Sequence, residues 1–144
     1  MTVRLSGRRG LPTVDRRRLR RRAGAILRAT GRGDAELSVA LVDDATIREL
    51  NARYRGRDAA TDVLSFSLVD GEHAERRGDL LGDVVISLET AERQARRRRH
   101  DLEDEVVRLL IHGVLHLLGH DHERDDEARA MRAEERRVAR AIAR

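Results

Sequence analysis

The sequence predicts an α+β fold, a single compact domain in which a small mixed β-sheet packs with helices. Three observations predict it. At 144 residues the chain has the length of one ordinary domain and enough apolar side chains to bury a core, so residues 1–144 read as one unit. Segments with apolar residues at helical spacing are interspersed with short apolar runs of strand length. No repeat or low-complexity linker divides the chain, and a mixture of strands and helices of this kind argues for helices packed on a sheet.

The elements follow in order. Thr2 to Ser6 alternates weakly and reads as a short strand. Asp15 is placed to cap a helix running to about Thr30, with Leu19, Ala23, Ile26 and Leu27 inward and Gly31 as its stop. Glu36 to Val42 is a strand, and Asp43 or Asp44 caps the next helix, which carries Ile47 and Leu50 and ends at Gly56. Asp62 to Val69 reads as a strand, a polar loop spans Asp70 to Asp79, and Leu81 to Leu88 is a strand expected to pair with it. Ser87 caps a basic helix to about Arg99. A helix from Leu102 to Leu118 buries Val106, Leu109, Leu110, Val114 and Leu117, and a last one, about Asp125 to Ala143, shows Met131, Val138 and Ile142 at helical spacing.

Composition narrows the function classes. The 30 basic residues are all arginine, against 26 acidic ones, for a net charge of +4 and a pI near 10.9. Arginine suits phosphate because its planar fork binds two oxygens at once, yet total avoidance of lysine looks like coding bias. The runs Arg16–Arg18, Arg20–Arg22 and Arg96–Arg99 are either basic patches for nucleic acid or solvated helix faces. Without cysteine there is neither a disulfide nor a thiolate site, so a zinc ion must be held by histidine and carboxylate. No apolar run has transmembrane length and the N-terminus lacks a signal-peptide stretch, so a cytoplasmic protein without a membrane partner is expected. Tyr54 and Phe66 are the only aromatic residues, and base-stacking platforms are not visible.

The strongest functional signal is the run from His112 to His122. Residues four apart share one helix face with Cβ atoms roughly 5–6 Å apart. His112 and His116 therefore reach one ion at about 2.0–2.1 Å, the usual zinc–nitrogen distance. Gly119 is placed to end the helix in a left-handed residue, so that the chain turns back and delivers His122. Three protein ligands leave a fourth position for water or substrate, which implies hydrolysis. The run matches the long zinc-peptidase signature H-E-x-x-H-x-x-G-x-x-H except that Gly113 replaces the glutamate, the general base of peptide cleavage. Gly113→Glu is then a discriminating substitution, since a latent peptidase site would gain activity. His120 points away from the other three in a simple turn. Asp121 either orients a ligating imidazole or bonds backbone in the turn.

From about Leu50 onward the chain resembles the YbeY family of bacterial ribosomal RNA maturation factors. Three blocks carry the resemblance: Leu50-Asn51-Ala52-Arg53-Tyr54-Arg55-Gly56-Arg57-Asp58 continued by Thr61 to Phe66; Leu81 to Ser87; and the metal run, preceded by His100 and Glu105 and followed by Met131 and Glu134-Glu135. The N-terminal third resembles the family only in its order of elements. Ser67 stands where a proline often follows Ser-Phe, and His120 where tyrosine is common.

The resemblance implies a metal-dependent endoribonuclease acting on single-stranded RNA, with ribosomal RNA processed notably at the small-subunit 3′ end. Its implied partners are the ribosome or small ribosomal subunit and associated proteins, with no DNA. It implies one Zn2+ on His112, His116 and His122, and a basic-cleft arginine at Arg55. Arg55 and His112 are then the catalytic residues, Arg55 meeting the charge on the phosphoryl oxygens. The other role open to Arg55 is a structural ion pair with Asp58 or Asp62. Asp62, Ser65 and Asp83 are expected to shape the cleft. His100 and Glu105 either join the proton-transfer network or serve packing and capping. Two other classes remain: a non-catalytic, zinc-stabilised ribosome-assembly or RNA-binding factor, and a metallohydrolase of another substrate.

Overall fold

The computed structural model describes residues 2–7, 10–67 and 80–143. Along them run β1 (Thr2–Gly7), α1 (Arg16–Ala29), β2 (Glu36–Val42), α2 (Asp44–Arg55), β3 (Val63–Ser67), β4 (Leu80–Ser87), α3 (Leu88–Arg98), α4 (Leu102–Leu117) and α5 (Asp125–Ala141). The four strands form one mixed sheet in the order β1-β2-β4-β3. β1 pairs parallel with β2 and β2 with β4, whereas β3 runs antiparallel to β4, with Val63 opposite Ile86 and Ser67 opposite Gly82. The expected α+β class and the pairing of the third and fourth strands are both met.

Alternation along the strands gives the sheet two apolar faces. Leu37, Val39, Leu41, Val84 and Ile86 join the main core with residues of α1, α3, α4 and α5. Val42, Leu64 and Val85 face the other way and pack with Ile47 of α2, flanked by Leu50 and Phe66. α4 contacts α1, α3, α5, β3 and β4. A helix so enclosed must be apolar nearly all round, and Val106, Val107, Leu109, Leu110, Ile111, Val114 and Leu115 are all buried. Each such side chain contributes about 1.5–3 kcal/mol relative to exposure.

The starts of α1 to α4 are set by short side chains that satisfy otherwise unpaired N–H groups. Asp15 accepts from Arg18 N at 3.1 Å and Asp43 from Thr46 N at 2.8 Å, so Asp43 is the cap of α2. Asp44 has a different task. It accepts from Ser87 Oγ and Thr90 Oγ1, both at 2.6 Å, and from Arg93 at 2.8 Å, which ties α2 to the start of α3. Burial pushes the Asp44 carboxyl up, but those hydrogen bonds and the charge of Arg93 hold it below the usual range.

Boundaries shift slightly from those predicted. Leu88 belongs to α3 rather than to the strand, Leu118 caps α4, and α5 ends at Ala141. Leu68, Val69 and the polar loop from Asp70 to Asp79 lie outside the described residues. Gly82 adopts φ +153°, and a Cβ there would lie 2.5 Å from the Phe66 carbonyl oxygen and 2.9 Å from a Leu117 methyl. Glycine at that position lets β3, β4 and the end of α4 close on one another.

Candidate metal centre and its cleft

His112 and His116 stand one turn apart on α4, with their Nε2 atoms 3.1 Å from each other. The helix stops just beyond them. Gly119 takes φ +98°, and the N–H groups of Gly119 and His120 return to the carbonyls of His116 and Leu115, both at 3.0 Å. That turn brings His122 back, its ring centroid 6.0 Å from His112 and 5.2 Å from His116. One nitrogen from each of the three rings lies within 4.8 Å of the others.

The donor set fits a metal. Two nitrogens bound tetrahedrally at 2.0–2.1 Å are about 3.4 Å apart, close to the separation of the first pair. Burial, and the charges that His112 and His122 would carry, push the His116 pKa down, which favours the neutral imidazole that a metal requires. His120 lies outside this group.

An acidic partner for the site comes from α5, where sequence reading assigned none. Glu135 Oε1 lies 3.3 Å from His112 Nδ1, which leaves Nε2 directed at the cluster. The hydrogen bond to His112 holds the Glu135 carboxyl low against the opposing effect of burial, aided by the charges of His112, Arg108 and His116. Asp121 instead accepts from the backbone N of His122 at 2.7 Å, the turn role. The only advance signal for Glu135 was its place in the Glu134-Glu135 pair of the third block.

Gly113 faces the sheet. A Cβ there would sit 2.8 Å from Val84 Cγ1 and 3.1 Å from Ser65 Oγ, and the Gly113 carbonyl accepts from that hydroxyl at 2.9 Å. Gly113→Glu is therefore a packing lesion rather than a clean test for a latent peptidase, because the new side chain meets β3 and β4.

The three histidines open onto a cleft of about 970 Å³ that crosses edge strand β3 to the last turn of α2. Arg55, Asp62 and Ser65 line it, together with Tyr54, Arg57 and Phe66; Asp83 does not. Asp83 interacts with Ser38 of the neighbouring strand, and burial raises its carboxyl despite that bond. Arg55 donates to the Ser65 carbonyl and lies 5.3 Å over the Phe66 ring. The acids considered as its ion-pair partners are engaged elsewhere: Asp58 with Arg48 at 2.8 Å, Asp62 with Gln94 at 3.1 Å. Asn51, buried under this turn, donates to the Ala59 carbonyl and accepts from Arg57 N through its own, which fixes the loop beyond Arg55. The two aromatic residues converge here. Tyr54 and Phe66 meet edge to face, 5.5 Å between centroids.

Glu105 is fully buried and serves the fold. His100 Nε2 lies 2.7 Å from it, Arg108 binds both its oxygens, and Arg98 is 3.6 Å away. Burial raises its pKa, but Arg108, His100 and Arg98 together bring the carboxyl below the ordinary range. Arg108 reaches on to Gln94 and thence to Asp62, so α4 is anchored to α3 and to the start of β3.

The model of the family described as Endoribonuclease YbeY matches residues 11–143, so the likeness takes in most of the N-terminal third as well. The chain is 55% identical over 141 residues to the Endoribonuclease YbeY of Anaeromyxobacter sp. (strain Fw109-5), covering 98% of this chain and 72% of that protein. It is 50% identical over 123 residues to the protein of the same name from Pelotomaculum thermopropionicum, covering 83% and 81%. The solution structure of TM1509 from Thermotoga maritima matches with a TM-score of 0.64 at 28% identity, over 98% of this chain and 89% of that one.

Proposed function

The chain belongs to the YbeY family, and from that premise we propose that it is a metal-dependent endoribonuclease cleaving single-stranded RNA. Its task is ribosomal RNA processing at the small-subunit 3′ end, in the cytoplasm and in association with the ribosome, carried out by residues 1–144 as one domain. The observation that carries the reading is the convergence of three imidazoles and Arg55 on one cleft.

His112, His116 and His122 hold one Zn2+, with Glu135 fixing the His112 ring. When bound, the ion supplies Lewis acidity at a phosphoryl oxygen and lowers the pKa of a coordinated water. Arg55 supplies the fixed cation. Its bond to Ser65 and its place over Phe66 hold the guanidinium in the cleft. A guanidinium carries five N–H donors in a rigid fork, so the bond to Ser65 leaves donors to meet the charge that develops on the phosphoryl oxygens.

A peptidase reading fits less well. An extended peptide would bind by adding to the edge of the sheet, and on edge strand β3 the Ser65 carbonyl is already taken by Arg55. Gly113 stands where the peptidase signature has its glutamate, next to the first histidine in sequence.

The deciding experiment is cleavage of a single-stranded RNA carrying the small-subunit 3′ end by the parent, Arg55→Ala and His116→Ala, purified identically. Cutting by the parent and by neither folded variant is expected. Equal cutting by all three would point to a contaminating nuclease. RNA and ribosome binding without cutting would favour the assembly-factor reading.

A further inference from the structure

Tyr54 is 59% exposed, the one large apolar side chain so placed among the described residues. A single exposed aromatic is ordinary on any surface, and exposure alone assigns nothing. Its position does more. The chain contains one tyrosine, one phenylalanine and no tryptophan, and both rings line the cleft that holds Arg55 and the three histidines. Tyr54 and Phe66 contact at an interplanar angle of 70°, and an edge contact of this kind covers at most one face of the tyrosine ring. Phe66 in turn supports the Arg55 guanidinium. Tyr54 and Arg55, both in the last turn of α2, each contact the Phe66 ring, which puts an aromatic ring and a cation on one wall of the cleft.

We propose that Tyr54 is the platform on which one nucleobase next to the cleaved phosphodiester stacks. The inference rests on the endoribonuclease reading and gives it a source of strand selectivity. Every base offers a π-face, so such a platform tolerates any sequence. In a duplex that face is covered by neighbouring bases, whereas in a single strand it is available. Tyr54 thus positions substrate while Arg55 meets the phosphate.

The test uses single-stranded oligoribonucleotides in which one nucleotide at a time is made abasic, with affinity read by fluorescence anisotropy and cleavage read as KM and kcat. In the parent, one abasic position is expected to weaken binding about tenfold, the usual scale of base–aromatic stacking. Tyr54→Leu should bind intact RNA about as weakly as the parent binds that abasic strand, and should be insensitive to the abasic site. Its rise should fall on KM rather than kcat, and Tyr54→Phe should restore the parent values. Equal abasic penalties in the parent and Tyr54→Leu, or no binding of single strands by the parent, would overturn the proposal. A parent that binds but does not cut refutes the nuclease reading and with it the placement beside a cleaved phosphodiester, while the abasic comparison separately decides whether Tyr54 stacks on a base. Thermal melting establishes that each variant is folded.

Discussion

Glu135 Oε1 lies 3.3 Å from His112 Nδ1, so a carboxylate on α5 orients an imidazole on α4. Partners of this kind fix the ring and raise its basicity, and their loss typically costs 10–100-fold in metal affinity. Glu135→Ala should weaken zinc binding by about that factor with the far-UV spectrum unchanged. Competition against a chromophoric chelator measures it. An unchanged affinity would mean that His112 is held without α5.

Gly113 tests the close approach of α4 to the sheet. Were space free, alanine would gain about 1 kcal/mol in helix propensity. The 2.8 Å approach to Val84 and 3.1 Å to Ser65 reverse the sign, and overpacking of this kind costs about 1–3 kcal/mol. Urea unfolding of Gly113→Ala should show the loss, and the cost of the same substitution should be smaller when measured in a Val84→Ala background. A stabilised Gly113→Ala would show that the helix moves away at no cost.

Glu105 makes stability depend on acid. Its folded pKa is lowered from the ordinary glutamate value that the unfolded chain has. The contribution is therefore complete above that value and disappears as pH falls through the folded pKa. Removing one member of a buried charge cluster costs about 3–5 kcal/mol; Glu105→Gln keeps the shape and lies near or below that range. Denaturation from pH 7 to pH 3 should find parent and variant converging at the acid end. A constant gap across the series would locate the effect in packing.

Zinc should stabilise the native chain by mass action. At a free concentration 100 times Kd the gain is about 2.7 kcal/mol. Melting temperature should rise with zinc, fall on chelation, and stay level in His116→Ala. A parent whose melting ignores zinc would remove the metal centre from the account.

The α+β class and most element boundaries were determined by the sequence alone, because caps, strand alternation and helical spacing are local properties of the chain. The approach of His112 and His116 is of the same kind, since a helix places residues four apart together whatever packs around it. Long-range partnerships were decided only by tertiary structure. Two adjacent aspartates, Asp43 and Asp44, are equivalent as candidates for a cap until α3 lies beside one of them. Asp121 stood next to His122 in sequence, yet the acid hydrogen-bonded to the histidine cluster is Glu135, 23 residues beyond His112. Tyr54 and Phe66, two isolated aromatics in composition, became one cleft wall because β3 and the end of α2 meet there. Which faces of separate elements touch depends on how the whole core packs, and that is not a property of any local stretch of chain.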